Sequence, residues 1–274
     1  RVLLHVRNLA ANPERRDMPA HPPPASDPDF TRILGVRFFT GSVDRLLALT
    51  AQGGLFVAPA GPGLAELDRD DAYRHALEHS DVAIADSGAM ALLWRLRTGE
   101  RVHRISGLRF MRALLAHPGF RQPHRVFWVM PSEPEADAAL AWLNAHGVPT
   151  TRDDVYVAPR YGAGPISDPA LASALNRRDP RPAFVVLCIG GGVQERLGLA
   201  LRDALEFRPA IVCTGAALAF VTGRQARIPA WADRLMLGWL LRCLWSPRRF
   251  VPRYLRALRL VPLLLRFGAR SARG

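Results

Sequence analysis

The chain has 274 residues, 49% of them hydrophobic, and a formal net charge of +13; it can bury a sizeable core as one large α/β domain or two small lobes. Cys188, Cys213 and Cys243 are widely spaced and odd in number, which argues against a disulfide framework or a cysteine metal site and suits a reducing cytoplasm. No apolar run approaches the roughly 20 residues needed to span a bilayer, and residues 1–6 lack a full secretory apolar region.

Residues 8–30 hold Pro13, Pro19, Pro22, Pro23, Pro24 and Pro28 with little apolar content, so residues 1–31 read as a disordered leader. The fold is expected from Arg32. Strand-like runs then alternate with helical patterns: 33–38 before 43–52, 54–58 before 69–79, 82–85 before 89–97, and 125–130 before 133–146. Residues 154–157 precede a Gly/Pro-rich connection, 184–189 lead through Gly190-Gly191-Gly192 into a helix over 193–206, and 210–214 run into Gly215. Such βα alternation predicts an α/β fold, a Rossmann-like parallel sheet flanked by helices, over residues 32–233.

All 37 basic residues are Arg, a mark of base composition, so no weight rests on Arg over Lys at any one site. Their placement is more telling. No acid follows Asp233, whereas ten Arg lie in residues 234–274, leaving the preceding part only about +3. Arg249, Arg253 and Arg256 share one helical face, beside a row of Phe250, Tyr254 and Leu258. A basic helix with Trp and Phe suits a membrane interface with anionic headgroups, and a merely solvated face would include some acids. The tail 234–274 is therefore expected to associate with an anionic membrane surface. Nucleic acid is not the expected partner: the charge would allow non-specific binding, but no recognised motif accompanies it.

Asp86 ends the apolar run Val82-Ala83-Ile84-Ala85 and meets Ser87-Gly88 before a helix. Ligands of open α/β folds bind outside the carboxyl ends of the strands, which suits a catalytic base; the same position suits an N-cap. The turn Gly190, Gly191 and Gly192 would let backbone N–H groups approach a diphosphate at a helix N-terminus, although it does not match G-x-G-x-x-G and predicts no nicotinamide cofactor. Gln194 and Glu195 open that helix. A Glu would repel a diphosphate, so Glu195 is expected either to face ribose, base or sugar hydroxyls or to be an ordinary first-turn acid. His79, His103, His117, His124 and His146 have no ligand-type spacing, and no metal site is expected.

Taken in order, these segments resemble the WecG/TagA/CpsF family of bacterial glycosyltransferases, from about Ile33 to Tyr254. Ala85-Asp86-Ser87-Gly88-Ala89 sits where that family has its Asp-Gly motif, and Arg104-Ile105-Ser106-Gly107-Leu108 is similar to its Arg-Val-x-Gly segment. Gly190 to Glu195 resembles its Gly-x-Pro-x-Gln-Glu turn. Arg227-Ile228-Pro229-x-Trp231, Gly238-Trp239-Leu240-Leu241-Arg242 and Pro247-Arg248 through Arg253-Tyr254 track its C-terminal signature. Six positions depart: Ala58 and Ala60 stand where the family has Thr and Asn, Ala219 replaces an Asp, Gly238 a Glu, and Gly192-Val193 replaces Pro-Lys.

The resemblance implies inverting transfer of an N-acetylmannosamine-like sugar from a UDP-sugar donor to a polyprenyl-diphosphate-linked saccharide acceptor in cell-surface polysaccharide synthesis, at the cytoplasmic membrane face. Asp86 would be the base. No metal is implied, and no Asp-x-Asp motif is present; the glycine turn and Arg227, Arg242, Arg248, Arg249 and Arg253 would balance donor or acceptor phosphates or grip the membrane. A homo-oligomer is compatible with this reading. The alternative is a non-catalytic nucleotide-sugar or polyanion binder on the same fold, to which the four lost polar groups point.

Overall fold

The computed structural model describes residues 29–224, 229, 231–232 and 237–273. The expected leader, up to residue 28, and Arg227 lie outside the described residues. Eight strands form one sheet: β1 (Phe30–Ile33), β2 (Val36–Phe39), β3 (Gly54–Val57), β4 (Val82–Ile84), β5 (Val126–Met130), β6 (Val155–Val157), β7 (Phe184–Leu187) and β8 (Ala210–Cys213). Their order is β1-β2-β4-β3-β8-β7-β5-β6, and every pairing but β1 with β2 is parallel. The parallel strands β3, β4, β5, β7 and β8 are buried throughout, as continuous apolar runs in a sheet covered on both faces should be.

One expected strand is in fact two. The run 33–38 is broken by a two-residue turn in which Leu34 has φ 51° and Gly35 φ 82°, the paired positive angles that reverse a chain into a tight hairpin. Phe30 pairs with Phe39 and Ile33 with Val36, so the domain starts at least two residues before Arg32. A side chain at Gly35 would meet the Ser271 Cα at 2.7 Å, because the C-terminal segment covers this turn: the Leu34 and Gly35 amides donate to the carbonyls of Gly268 and Ala269 at 2.8 and 3.1 Å.

The helices are α1 (Val43–Thr50), α2 (Gly61–Leu64), α3 (Asp71–Glu78), α4 (Gly88–Thr98), α5 (Gly107–Ala116), α6 (Glu133–Ala145), α7 (Pro169–Asn176), α8 (Val193–Ala204), α9 (Ala217–Val221), α10 (Gly238–Trp245), α11 (Pro247–Ala257) and α12 (Leu260–Phe267). Residues alternating along each strand feed two cores. Leu55, Val57, Val185, Leu187, Ile211 and Cys213 pack with Leu197 and Leu201 of α8 and Leu260, Leu263 and Leu264 of α12. Phe56, Ile84, Trp128, Val186 and Val212 pack with Phe110, Met111 and Leu114 of α5 and Leu143 of α6.

The C-terminal segment is therefore not a separable tail. Buried leucines place α12 in the first core, and just ahead of it Arg259 bonds Asp68 at 3.1 Å and Glu66 at 3.4 Å. The reason is patterning that charge conceals: Leu260, Leu263 and Leu264 form an apolar stripe at helical spacing within a run dominated to the eye by arginine.

Candidate active site

Strands β4, β3, β8 and β7 are consecutive in the sheet, so the segments leaving their carboxyl ends line one crevice. Asp86 follows β4, Ala58 and Ala60 follow β3, Thr214 and Gly215 follow β8, and Gly190 to Gly192 follow β7. Three strand spacings separate the outer two, roughly 14 Å, a span suited to an extended ligand lying across β3 and β8.

Asp86 is half-buried and does not cap α4. That role belongs to Ser87, whose hydroxyl accepts from the Met90 amide at 3.2 Å. Asp86 Oδ1 instead accepts from the Gly107 amide at 2.9 Å, the first residue of α5, where the helix dipole favours negative charge. Ser106 caps that helix by accepting from the Arg109 amide at 3.0 Å. Arg104 Nε donates to the Asp86 carbonyl at 3.0 Å. The segment 104–107 thus holds the Asp86 turn from both backbone and side chain. Composition alone did not single out Gly107; the signal was Ser106 ahead of an apolar-periodic stretch.

The glycine turn is built differently from the expectation. Gln194 and Glu195 are each only 1% exposed. The Gly192 amide donates to Glu195 Oε2 at 2.6 Å, Gln194 Nε2 donates to Glu195 Oε1 at 2.9 Å, and Gln194 Oε1 accepts from the Gly215 amide at 2.9 Å. Glu195 accordingly does not face ribose or sugar hydroxyls; it lies under the turn and closes it, while Gln194 ties β7's turn to β8's. The Gly192 amide is engaged by Glu195, leaving Gly190 and Gly191, both exposed with open space around them, as the accessible part of the turn. Gly192 has φ 87°, an angle that disfavours any side chain there. Burial raises the Glu195 carboxyl above its ordinary range, against the lowering effect of its hydrogen bonds.

Thr214 keeps a buried hydroxyl with no hydrogen-bond partner among the described residues, and a side chain at Gly107 would touch both Thr214 and Ala58. Ala58 is buried and Ala60 half-buried, so the crevice is apolar where they stand.

The C-terminal helices border this region. Arg242 of α10 stacks its guanidinium 4.5 Å from the Phe220 ring of α9 and donates to the Tyr254 hydroxyl at 3.1 Å, so it joins α9, α10 and α11 more than it stands open. Helix α11 contacts α2, the helix that follows Ala60. It carries exposed Arg248 and Arg253, and Arg249. Tyr73 of α3 is buried with its hydroxyl against Gly63 of α2, where a side chain would meet it at 2.7 Å; its phenol is raised by burial and by Glu195 and lowered by Arg253. The structure therefore gathers Asp86, the glycine turn and the arginine-rich helices at one edge of the sheet.

The model of the glycosyl transferase WecG/TagA/CpsF family matches residues 31–274. No curated protein matches the chain.

Proposed function

From a chain that belongs to the glycosyl transferase WecG/TagA/CpsF family, and so has a glycosyltransferase role, we propose inverting transfer of an N-acetylmannosamine-like sugar from UDP to a polyprenyl-diphosphate-linked saccharide. The observation that carries this reading is the Asp86 carboxylate, seated on the Gly107 amide in the crevice that the glycine turn also lines. In a single displacement the acceptor oxygen bonds to the anomeric carbon as the bond to the UDP oxygen breaks. The acceptor proton passes to Asp86 Oδ2, which has no partner among the described residues, while Oδ1 stays on Gly107. Positioned base assistance of this kind contributes about 10²–10⁴-fold.

The departing UDP carries negative charge. In this reading the open Gly190 and Gly191 amides and nearby arginines, Arg248 and Arg253 among them, balance it, and no metal is needed. The acceptor's lipid places the reaction at the cytoplasmic face of a membrane, with the protein bound peripherally; among the described residues no helix is long and apolar enough to cross one.

The test is a mass-spectrometric screen of UDP-sugars against short-chain lipid-diphosphate saccharides, with EDTA present, comparing wild type with Asp86→Asn. Asparagine keeps an acceptor for Gly107 but cannot take the proton, so turnover should fall by about 10²–10⁴-fold with unchanged melting. Undiminished turnover in the variant would refute the role of Asp86. Donor binding without transfer to any acceptor would favour the non-catalytic reading, which the apolar Ala58 and Ala60 support.

A further inference from the structure

Helix α4, which begins two residues after Asp86, carries large apolar side chains on its exposed as well as its buried face. Met90 and Trp94 are buried against the core, yet the outward stripe of Ala89, Leu92 and Leu96 is also apolar, with Leu92 52% and Leu96 75% exposed. These leucines stand beside exposed Arg95 and Arg97, and contiguous exposed apolar surface marks an interaction site. The same holds for α12. Its Leu260, Leu263 and Leu264 are buried, whereas Val261 and Leu265 face outward, Leu265 being 61% exposed. The two helices are in contact, and Arg97 of α4 donates to the Leu265 carbonyl at 2.8 Å.

The stripe continues upstream. Leu258 (φ −59°, ψ −23°) and Arg259 (φ −62°, ψ −17°) keep right-handed helical angles between α11 and α12. Exposed Val251, Leu255, Leu258, Val261 and Leu265 therefore recur at steps of four, three, three and four along a nearly continuous helical path. Exposed charge around these leucines is mainly basic: Arg248, Arg253, Arg256 and Arg266 on the C-terminal helices, Arg95 and Arg97 in α4 and Arg101 just after it, against one exposed acid, Glu100, in the same stretch.

We propose that the outer face of α4, Leu92 and Leu96, is seated together with Val261 and Leu265 of α12 on an anionic lipid bilayer. This rests on the membrane reading above but extends it beyond the arginine-rich C-terminal segment to the helix adjoining the reacting centre. Apolar side chains ringed by cations match the boundary between anionic headgroups and acyl chains. Leu92 lies four helical residues, about 6 Å, beyond the first residue of α4, and Asp86 stands two residues before that start. Seating α4 on the bilayer therefore keeps the Asp86 turn, which leads directly into this helix, beside the membrane surface where a lipid-linked acceptor resides.

The experiment is co-sedimentation of the full chain with phosphatidylglycerol vesicles and with phosphatidylcholine vesicles, for wild type, Leu92→Gln/Leu96→Gln and Trp239→Gln/Trp245→Gln. Thermal melting and size-exclusion chromatography accompany each, and Leu96→Gln alone serves if the double variant does not fold. The α4 variant should lose phosphatidylglycerol binding by roughly tenfold with unchanged melting, and wild type should bind phosphatidylcholine weakly. If the α4 variant binds like wild type while the tryptophan variant does not, the α4 face is overturned and the C-terminal reading stands. Failure of wild type to bind phosphatidylglycerol vesicles overturns both. A smaller species on sizing, with vesicle binding intact, would assign the face to a second copy of the chain and also overturn the proposal.

Discussion

Replacing Gln194 with alanine removes two hydrogen bonds, one fully buried and one partly buried. The Gly215 amide loses its acceptor and Glu195 Oε1 loses its donor, both at 2.9 Å, beneath a side chain 1% exposed. A buried group left unsatisfied costs about 1–3 kcal/mol, more if charged, and the partly buried Gly215 amide less, so the variant should be less stable by about 2–4 kcal/mol. For a domain of this size that is a fall in Tm of about 10 °C. The deficit should depend on pH. Burial already raises the Glu195 carboxyl, and the Gln194 bond is among the effects that lower it; without that bond the folded-state value rises further. A folded value raised above the unfolded one means that the folded state prefers the neutral acid. The penalty is therefore full above the folded pKa and relaxes as the pH falls toward the unfolded value of about 4.3. Urea denaturation of both proteins from neutral to mildly acidic pH reads the difference directly. A deficit below about 1 kcal/mol at neutral pH, or one that grows on acidification, would refute the scaffold role assigned to Gln194.

Gly198→Ala in α8 would bring a Cβ to 2.7 Å from Leu55 Cδ1 and 3.1 Å from Cys213 Sγ, so overpacking should cost about 1–3 kcal/mol, measured by urea denaturation; an unchanged midpoint would contradict this helix–sheet contact. At the opposite sheet edge, Asp154 is buried and accepts from the Thr151 amide and hydroxyl, His124 and Arg178. Burial by itself would raise its carboxyl, but these partners bring it below the ordinary carboxylate range. Its stabilisation is therefore present above the unfolded pKa of about 3.9 and lost as the pH falls through the lower folded value. Asp154→Asn should accordingly be destabilised most at neutral pH, with the gap to wild type closing in acid; a gap independent of pH would oppose the assignment.

Much of this architecture could be read locally. Val82 to Ile84 and Phe184 to Leu187 are too uniformly apolar for a surface strand, and glycine after β7 and serine before α4 and α5 punctuate the chain where the turns occur. Other features depended on partners remote in sequence. The break at Leu34-Gly35 is closed by Gly268 and Ala269, more than 230 residues away, so a single run of apolar residues gave no sign of two strands. Glu195 reads as an exposed first-turn acid until Gly192, Gln194 and Gly215 surround it. Helix α5 passed unnoticed among scattered arginines, although its first amide holds Asp86.

The residue pattern on its own determined the alternation of strand and helix, the place of Asp86 and the glycine turn at strand ends, and the single-signed charge of the C-terminal segment, because propensity, burial period and net charge are local properties. Tertiary structure decided which carboxylate stands in the crevice and which lies beneath it, and whether the arginine-rich segment stands apart or belongs to the core. Those outcomes turn on long-range hydrogen bonds and on shared apolar surface between α12, α4 and the sheet, and burial of a charged group is settled only by what closes around it.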